Sequence, residues 1–304
     1  MATTSPPSRK ATPPRATKGA PAYRPTPPSD KGNRAVFMDF NQSPAEIVQV
    51  MDAAKAAGNQ FATENKRAKR WLRWLYPVGL LFVLLDYLIG YNYLTFTLVC
   101  AGVWLVAFAG LTLLKRQGRP PEFGTKYDMA RTIMDTLEGD VGLNRTMMGW
   151  LDLTGFAQES KEYRKKQSVS GRPVVYYRDE WLQLKAKLYD SNVLRVSVTE
   201  KVKDRKGYYK RSRISGKNKW KAGSTIKQHQ LSISVSLNPE TYQAVPFDYN
   251  QVTIPESRFA IEAALAENGR VTLKATSDKE YDAWDVLHAM KYSYEHIKPV
   301  NGNP

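Results

Sequence analysis

Ten cations crowd the segment 201–221: Lys201, Lys203, Arg205, Lys206, Lys210, Arg211, Arg213, Lys217, Lys219 and Lys221, interleaved with Tyr208, Tyr209 and Trp220. Only Glu200 and Asp204 oppose them nearby. Ammonium and guanidinium groups grip phosphates, and rings among them stack on bases or wedge between headgroups. Three readings follow: a solvated loop that keeps a sheet edge from pairing with another chain, a contact for anionic lipid headgroups, or a nucleic-acid contact. Phosphate attraction alone carries no base sequence information, and no recognised reading module accompanies the run.

Signatures of catalysis are missing. Gly216-Lys217-Asn218 has no glycine five residues earlier and no Ser or Thr after the lysine, so it is not a phosphate-cradling loop. The chain contains no Gly-x-Ser-x-Gly elbow, no Gly-x-Gly-x-x-Gly and no His-Glu-x-x-His. His229, His288 and His296 are scattered, and Asp285 with His288 at i,i+3 reads as a surface pair before it reads as a dyad. The single cysteine, Cys100, excludes an intramolecular disulfide and a thiolate metal cluster. The expectation is no enzyme, no catalytic residue, no cofactor and no metal.

The elements that must position the basic run are read from charge and periodicity. The net charge of +16 is clustered: in the N-terminal tail, on both sides of an apolar block, and in the run itself. Residues 1–42 begin as a tail rich in Pro, Ser, Thr, Lys and Arg, with Pro6-Pro7, Pro13-Pro14 and Pro27-Pro28, and with too little apolar surface to offset the entropy of ordering. Such a tail is read as disordered, with local polyproline II character, and no secretory signal is seen in it. Ser43-Pro44-Ala45-Glu46 then forms a capping box with proline at the first helical position. An amphipathic helix over 43–70 follows, its stripe made of Ile47, Val50, Met51, Ala54 and Phe61, packed on protein or lying on a membrane surface.

The block 75–114 holds one formal charge, Asp86. As one helix its forty positions would run about 60 Å, twice the hydrocarbon thickness of about 30 Å. Two passes over about 73–89 and 94–114, turning at Gly90-Tyr91-Asn92-Tyr93, make 71–116 a transmembrane hairpin. Lys66, Arg67, Lys69, Arg70 and Arg73 before it and Lys115, Arg116 and Arg119 after it place both termini in the cytoplasm, with aromatic belts at each interface. Asp86, about one turn from the outer end, reads as an interfacial residue or, less readily, as part of a transport route. Small residues such as Gly102, Ala107 and Gly110 on the second span admit homo-oligomerisation.

After Pro120-Pro121, the segment 122–304 is long enough for a domain of its own. A helix opening at Thr125 carries Ala130, Ile133, Met134 and Leu137 on one face, and a short helix is expected over 144–153. Strands are expected over 174–178, 181–189, 193–202, 230–237 and 270–276, the fourth alternating Leu231, Ile233, Val235 and Leu237 with polar residues. A helix over 278–297 closes the chain, with Tyr281, Trp284, Leu287, His288 and Tyr292 along one side. Residues 258–266 fit a helix, or the first arm of a hairpin turning at Asn268-Gly269 with Phe259, Ile261, Ala263 and Leu265 on one face.

Arg258-Phe259-Ala260-Ile261-Glu262, then the segment from Gly269 to Glu280, then Trp284 in a closing helix, resembles the end of a pleckstrin-homology-like domain over about forty residues. That resemblance implies a bent antiparallel barrel capped by one helix and used for docking. Together these readings describe a membrane α-helical hairpin of two transmembrane helices plus a cytoplasmic α+β domain with a mainly antiparallel sheet or barrel and a C-terminal helix. The expected function is that of a membrane-anchored docking or scaffold protein presenting its basic domain at the inner leaflet. Its partners would be the lipid bilayer, anionic headgroups and an unknown protein or a second copy, with a tethered nucleic-acid binder, and then a membrane-bound enzyme, as the alternatives.

Overall fold

A computed structural model of the chain describes residues 23–25, 36–89, 93–116, 123–142, 145–167, 172–267 and 269–300. The tail before Tyr23, the turn at Gly90, Tyr91 and Asn92, the Pro120-Pro121 pair and Asn268 lie outside the described residues, as does the side chain of Asp86. In chain order the elements are β1 (Tyr23–Pro25), β2 (Val36–Gln42), α1 (Pro44–Ile89), α2 (Tyr93–Arg116), α3 (Thr125–Leu137), β3 (Met147–Asp152), β4 (Glu162–Gln167), β5 (Pro173–Lys187) and β6 (Val193–Arg205). They continue with β7 (Tyr208–Arg211), β8 (Asn218–Lys221), β9 (Ser224–Ser236), β10 (Tyr242–Ala244), β11 (Ala260–Glu267), β12 (Arg270–Ser277), α4 (Ala283–Glu295) and β13 (Ile297–Pro299).

Nine strands make one sheet in the order β1-β2-β3-β5-β6-β9-β12-β11, with β4 pairing the first half of β5 on the edge where β3 pairs the second half. Every pairing in it is antiparallel. Alternation decides which face is covered. Leu182, Leu184, Val196, Val198, Leu231, Ile233 and Leu273 join Ile47, Met51, Ile133, Met134, Val286 and Met290 of the helices in one buried cluster. On the other face Gln183, Lys185, Arg195, Ser197, Ser232 and Ser234 line a shallow depression and stay wholly or partly in solvent.

α1 begins at Pro44 with both arms of its capping box in place: Ser43 N–H donates to Glu46 Oε2 at 3.2 Å and Glu46 N–H to Ser43 Oγ at 3.4 Å. Its first turns dock on α3 through the Tyr127 hydroxyl, which donates to the Met51 carbonyl, and through Arg131, which holds Asp52 with two bonds of 2.7 and 2.9 Å. Gly58 has a use there: a Cβ would lie 2.5 Å from the Phe123 ring.

Among the described residues no helix is long and apolar enough to cross a membrane. The two-span fold class, the transmembrane and integral-membrane reading, and the placement in a bilayer with both termini cytoplasmic are corrected by that finding. For α1 the physical reason is the length of its apolar part. The apolar end of α1, residues 75–89, continues one 46-residue helix that carries Lys66 to Arg73 just before it. At 1.5 Å per residue that end measures about 22 Å, against a hydrocarbon core of about 30 Å. The chain is an α+β fold built on a large antiparallel sheet. The end of α1 and α2 lie side by side, with the Trp104 indole donating to the Tyr76 carbonyl at 3.4 Å and Cys100 and Ala107 buried between them. Trp71, Trp74, Leu105 and Phe108 remain exposed on the outside of this helical arm.

Three further expectations change. Within the expected helix over 144–153, Met147–Asp152 form strand β3 instead, and Asn144 lies outside the described residues: Met147 and Leu151, both buried, are four apart and fit either period, and pairing with β2 and β5 decides the matter. Gly149 permits that pairing, since a Cβ there would sit 1.9 Å from the Gln183 carbonyl oxygen. Residues 258–266 belong to a hairpin, but its register shifts between Ile261 and Ala263, so Ala264 and Ala266 pack on the core while Leu265 is 48% exposed. α4 starts at Ala283, capped by Asp282, and buries Val286, Ala289, Met290, Tyr292 and Ser293, which leaves Trp284 61% exposed.

The bulge makes a sharp prediction. Leu273→Ala, in β12 and 1% exposed, should cost about 2–5 kcal/mol of unfolding free energy in urea titration, whereas Leu265→Ala should stay within about 0.5 kcal/mol. Equal losses would contradict the shifted register.

Candidate functional site

β6 and β9 pair over thirteen registered positions, from Val193 with Ser236 to Arg205 with Ser224. Their far ends run past the main core cluster, where Val202 and the neighbouring Val175 are still buried. Beyond Arg205 the chain continues into a separate two-stranded ladder in which Tyr208 faces Lys221, Tyr209 faces Trp220, Lys210 faces Lys219 and Arg211 faces Asn218. Alternation places Lys210, Lys219 and Lys221 on one side with Tyr208, and Tyr209 and Trp220 on the other. The turn is closed by Ser212 N–H to the Lys217 carbonyl at 2.9 Å and Arg211 Nε–H to the Gly216 carbonyl at 3.0 Å. Ile214 at its tip is fully exposed.

The structure thus brings the sequence-expected residues into one arm with distinct parts. Lys201 and Lys203 lie lower, on the uncovered face of the sheet, where with Tyr163, Tyr176, Ile226 and Gln228 they line a shallow concavity of about 310 Å³. Lys203 sits 5.7 Å from the centre of the Tyr176 ring, and Tyr163 packs against Tyr176 at 6.2 Å. Arg205 and Lys206 mark the exposed junction, Arg213 and Lys217 the exposed turn. The Arg172 guanidinium lies over the Tyr208 ring at 3.4 Å, and the Tyr209 and Trp220 rings meet edge to face at 4.9 Å. Among the described residues none of the ten cations has a carboxylate within 4.0 Å.

A second constellation escaped the sequence reading. Asp179, Glu200, His229 and Ser277 are registered side by side across β5, β6, β9 and β12, and all four are buried on the covered face. Lys126 from the start of α3 reaches Asp179 and Glu200 at 3.0 Å each, and Lys161 reaches Asp179 at 2.6 Å and Asp152 at 2.8 Å. His229 Nδ1 lies 3.6 Å from Glu200 Oε1, and its ring packs 4.7 Å from that of Tyr281, whose hydroxyl accepts from the Trp181 indole at 3.2 Å. The residues of this row are 21 to 98 positions apart in the chain, so no local motif betrays them. One signal was present: His229 shares the parity of Leu231 and Ile233, the face read as half-buried, and Glu200 that of Val196 and Val198.

Asp285 and His288 form no dyad. Asp285 accepts from the Arg258 amide at 2.7 Å and from the Asp282 amide at 2.9 Å, while His288 faces Glu256 at 3.2 Å. His296 stacks on Phe247 at 4.1 Å. Among the described residues no group of three or more His, Cys, Asp or Glu is arranged to hold a metal ion.

Burial pushes the His229 pKa below its ordinary 6.5, against the opposing pull of Glu200, and Lys227 and Lys126 lower it further. The unfolded chain therefore takes up a proton at a pH where the folded imidazole stays neutral. This stability is fully present above the unfolded value and is lost as pH falls through the folded one. Urea unfolding should show a lower midpoint at about pH 5.5 than at about pH 7.5, and His229→Gln should shrink that difference. A difference unchanged by the substitution would rule the histidine out as its source. Comparison with protein-family models, with curated proteins and with solved structures finds no match for this chain.

Proposed function

We propose that the chain is a docking module whose basic arm holds a phosphate-bearing surface, without chemistry on what it binds. The observation that carries this reading is Lys210 standing directly across from Lys219, with Lys221 beside them and, among the described residues, no carboxylate within 4.0 Å of any of the three. Like charges facing across a strand pair oppose the pairing, and this hairpin buries no core that would offset them. A multivalent anion reverses the sign of that interaction. The half-buried Lys201 and Lys203 with Tyr176 add positive charge further down the sheet, in a concavity that Asp278 also lines.

Anionic headgroups are the first reading of that surface, favoured by Ile214, fully exposed at the tip between Arg213 and Lys217, where an apolar side chain can enter an interface that the cations hold. Nucleic acid is the second, favoured by the exposed Tyr209 and Trp220 rings on the opposite side of the hairpin. The hairpin, acidic cap and helix at 260–295 are the part resembling a pleckstrin-homology-like domain, and that likeness supports docking over catalysis.

The full chain is titrated with vesicles containing anionic lipid, with neutral vesicles and with a single-stranded oligonucleotide across a salt series. Three charges at about 1 kcal/mol each make Lys210→Gln, Lys219→Gln and Lys221→Gln together weaken binding by on the order of 100-fold, with the urea midpoint unchanged because all three are exposed. Binding to anionic vesicles that falls with salt supports the first reading, and oligonucleotide binding alone the second. Binding to neither, or binding that the triple variant retains, would refute the proposal.

A further inference from the structure

A groove of about 590 Å³ lies between the end of α3, the β5–β6 turn and α4, away from the basic arm and independent of it. Leu137, Leu194, Leu287 and Met290 form its floor, and Trp284 and Tyr189, 61% and 81% exposed, stand at its mouth. The rim is built to hold its shape. Ser191 takes the left-handed conformation at φ 69°, Asn192 bonds both oxygens of Asp190 at 2.9 and 2.6 Å, and the Tyr189 amide donates to the Asp140 carbonyl at 2.8 Å. Inside, the Tyr294 hydroxyl is buried without a hydrogen-bond partner among the described residues. Burial and the nearby charges of Asp190 and Asp140 raise its pKa, so it stands as a donor awaiting an acceptor.

Flat aromatic faces beside an unused donor suit one backbone form above others. Polyproline II presents proline rings to aromatics and leaves its carbonyls unbonded, and it loses little entropy on docking. The chain carries such a segment: Arg9, Lys10, Pro13, Pro14 and Arg15 combine prolines with cations that complement Asp140 and Asp190, whereas Lys291 is a single opposing charge on the groove.

Reach is consistent with this occupant. The tail leaves the sheet at Tyr23, which registers through Met38 and Leu151 to Leu182. Three strand spacings of about 4.8 Å and the six residues from Leu182 to Leu188 at about 3.3 Å each put the groove about 25 Å away. At about 3.1 Å per residue, the linker from Arg15 to Tyr23 spans about 25 Å and that from Arg9 about 43 Å.

We propose that this groove binds the chain's own segment 9–15 in polyproline II form. The test uses the full chain with benzoylphenylalanine in place of the exposed Tyr189, followed by irradiation and peptide mass mapping. The expected result is a monomer-sized product cross-linked within residues 5–18, reduced about tenfold by Arg9→Glu, Lys10→Glu and Arg15→Glu together and, separately, by Asp140→Lys. Cross-links confined to other parts of the chain, joining two copies only, or undiminished by the charge reversals would overturn the proposal.

Discussion

The structure depends on how the sheet ends its core. Carboxylates set into the buried face of two neighbouring strands would be prohibitive if left alone, because an uncompensated charge in a dry interior costs several kcal/mol. Asp179 lies between Lys126 and Lys161, and Glu200 between Lys126 and His229. The lysines come from outside the sheet, one from the first turn of α3 and one from the short 3-10 turn Glu159–Lys161, so the row also pins those elements to the strands. Below it the strands hold the main core; above it only a few positions, Val175 and Val202 among them, stay buried.

The basic arm follows from that boundary. Once β6 and β9 run on beyond the covered region, their ends are free to carry charge on exposed positions without a desolvation penalty, and a glycine-flanked hairpin can extend them further. The register shift between Glu180 and Leu182 in β5 serves the same division, since it lets Asp179, Trp181 and Leu182 all be buried where strict alternation would expose one of them. At the opposite extreme the α1–α2 arm carries Trp71, Trp74, Leu105 and Phe108 on its outside, so the molecule has a charged extension and an apolar one, both built on the same central sheet.

Much of the central domain was legible because its patterns are local. The cap at Ser43, the buried face of α3 and the alternation at 231–237 all express a period within a dozen residues. The cation-rich run was legible too, since clustering needs no fold to be seen, although only pairing of β7 with β8 sets Lys210 against Lys219. Features that depend on partners distant in the chain were not legible. Nothing near Met147 says that β2 and β5 will flank it, nothing near Ala263 announces a bulge, and the row from Asp179 to Ser277 exists only after four strands align. The apolar block 75–114 was read from composition, which does not show that its first part is the end of a helix begun at Pro44.

Hydrogen–deuterium exchange of the intact chain, with and without vesicles containing anionic lipid and with and without a single-stranded oligonucleotide, tests the division between core and arm most directly. The strands below the row at Asp179, Glu200 and His229 should be strongly protected throughout. Amides of 206–221 should exchange quickly in the free protein and slow by at least about tenfold when one of the two polyanions is present. Slow exchange of the arm in the free protein, or an arm unaffected by either polyanion, would contradict the account.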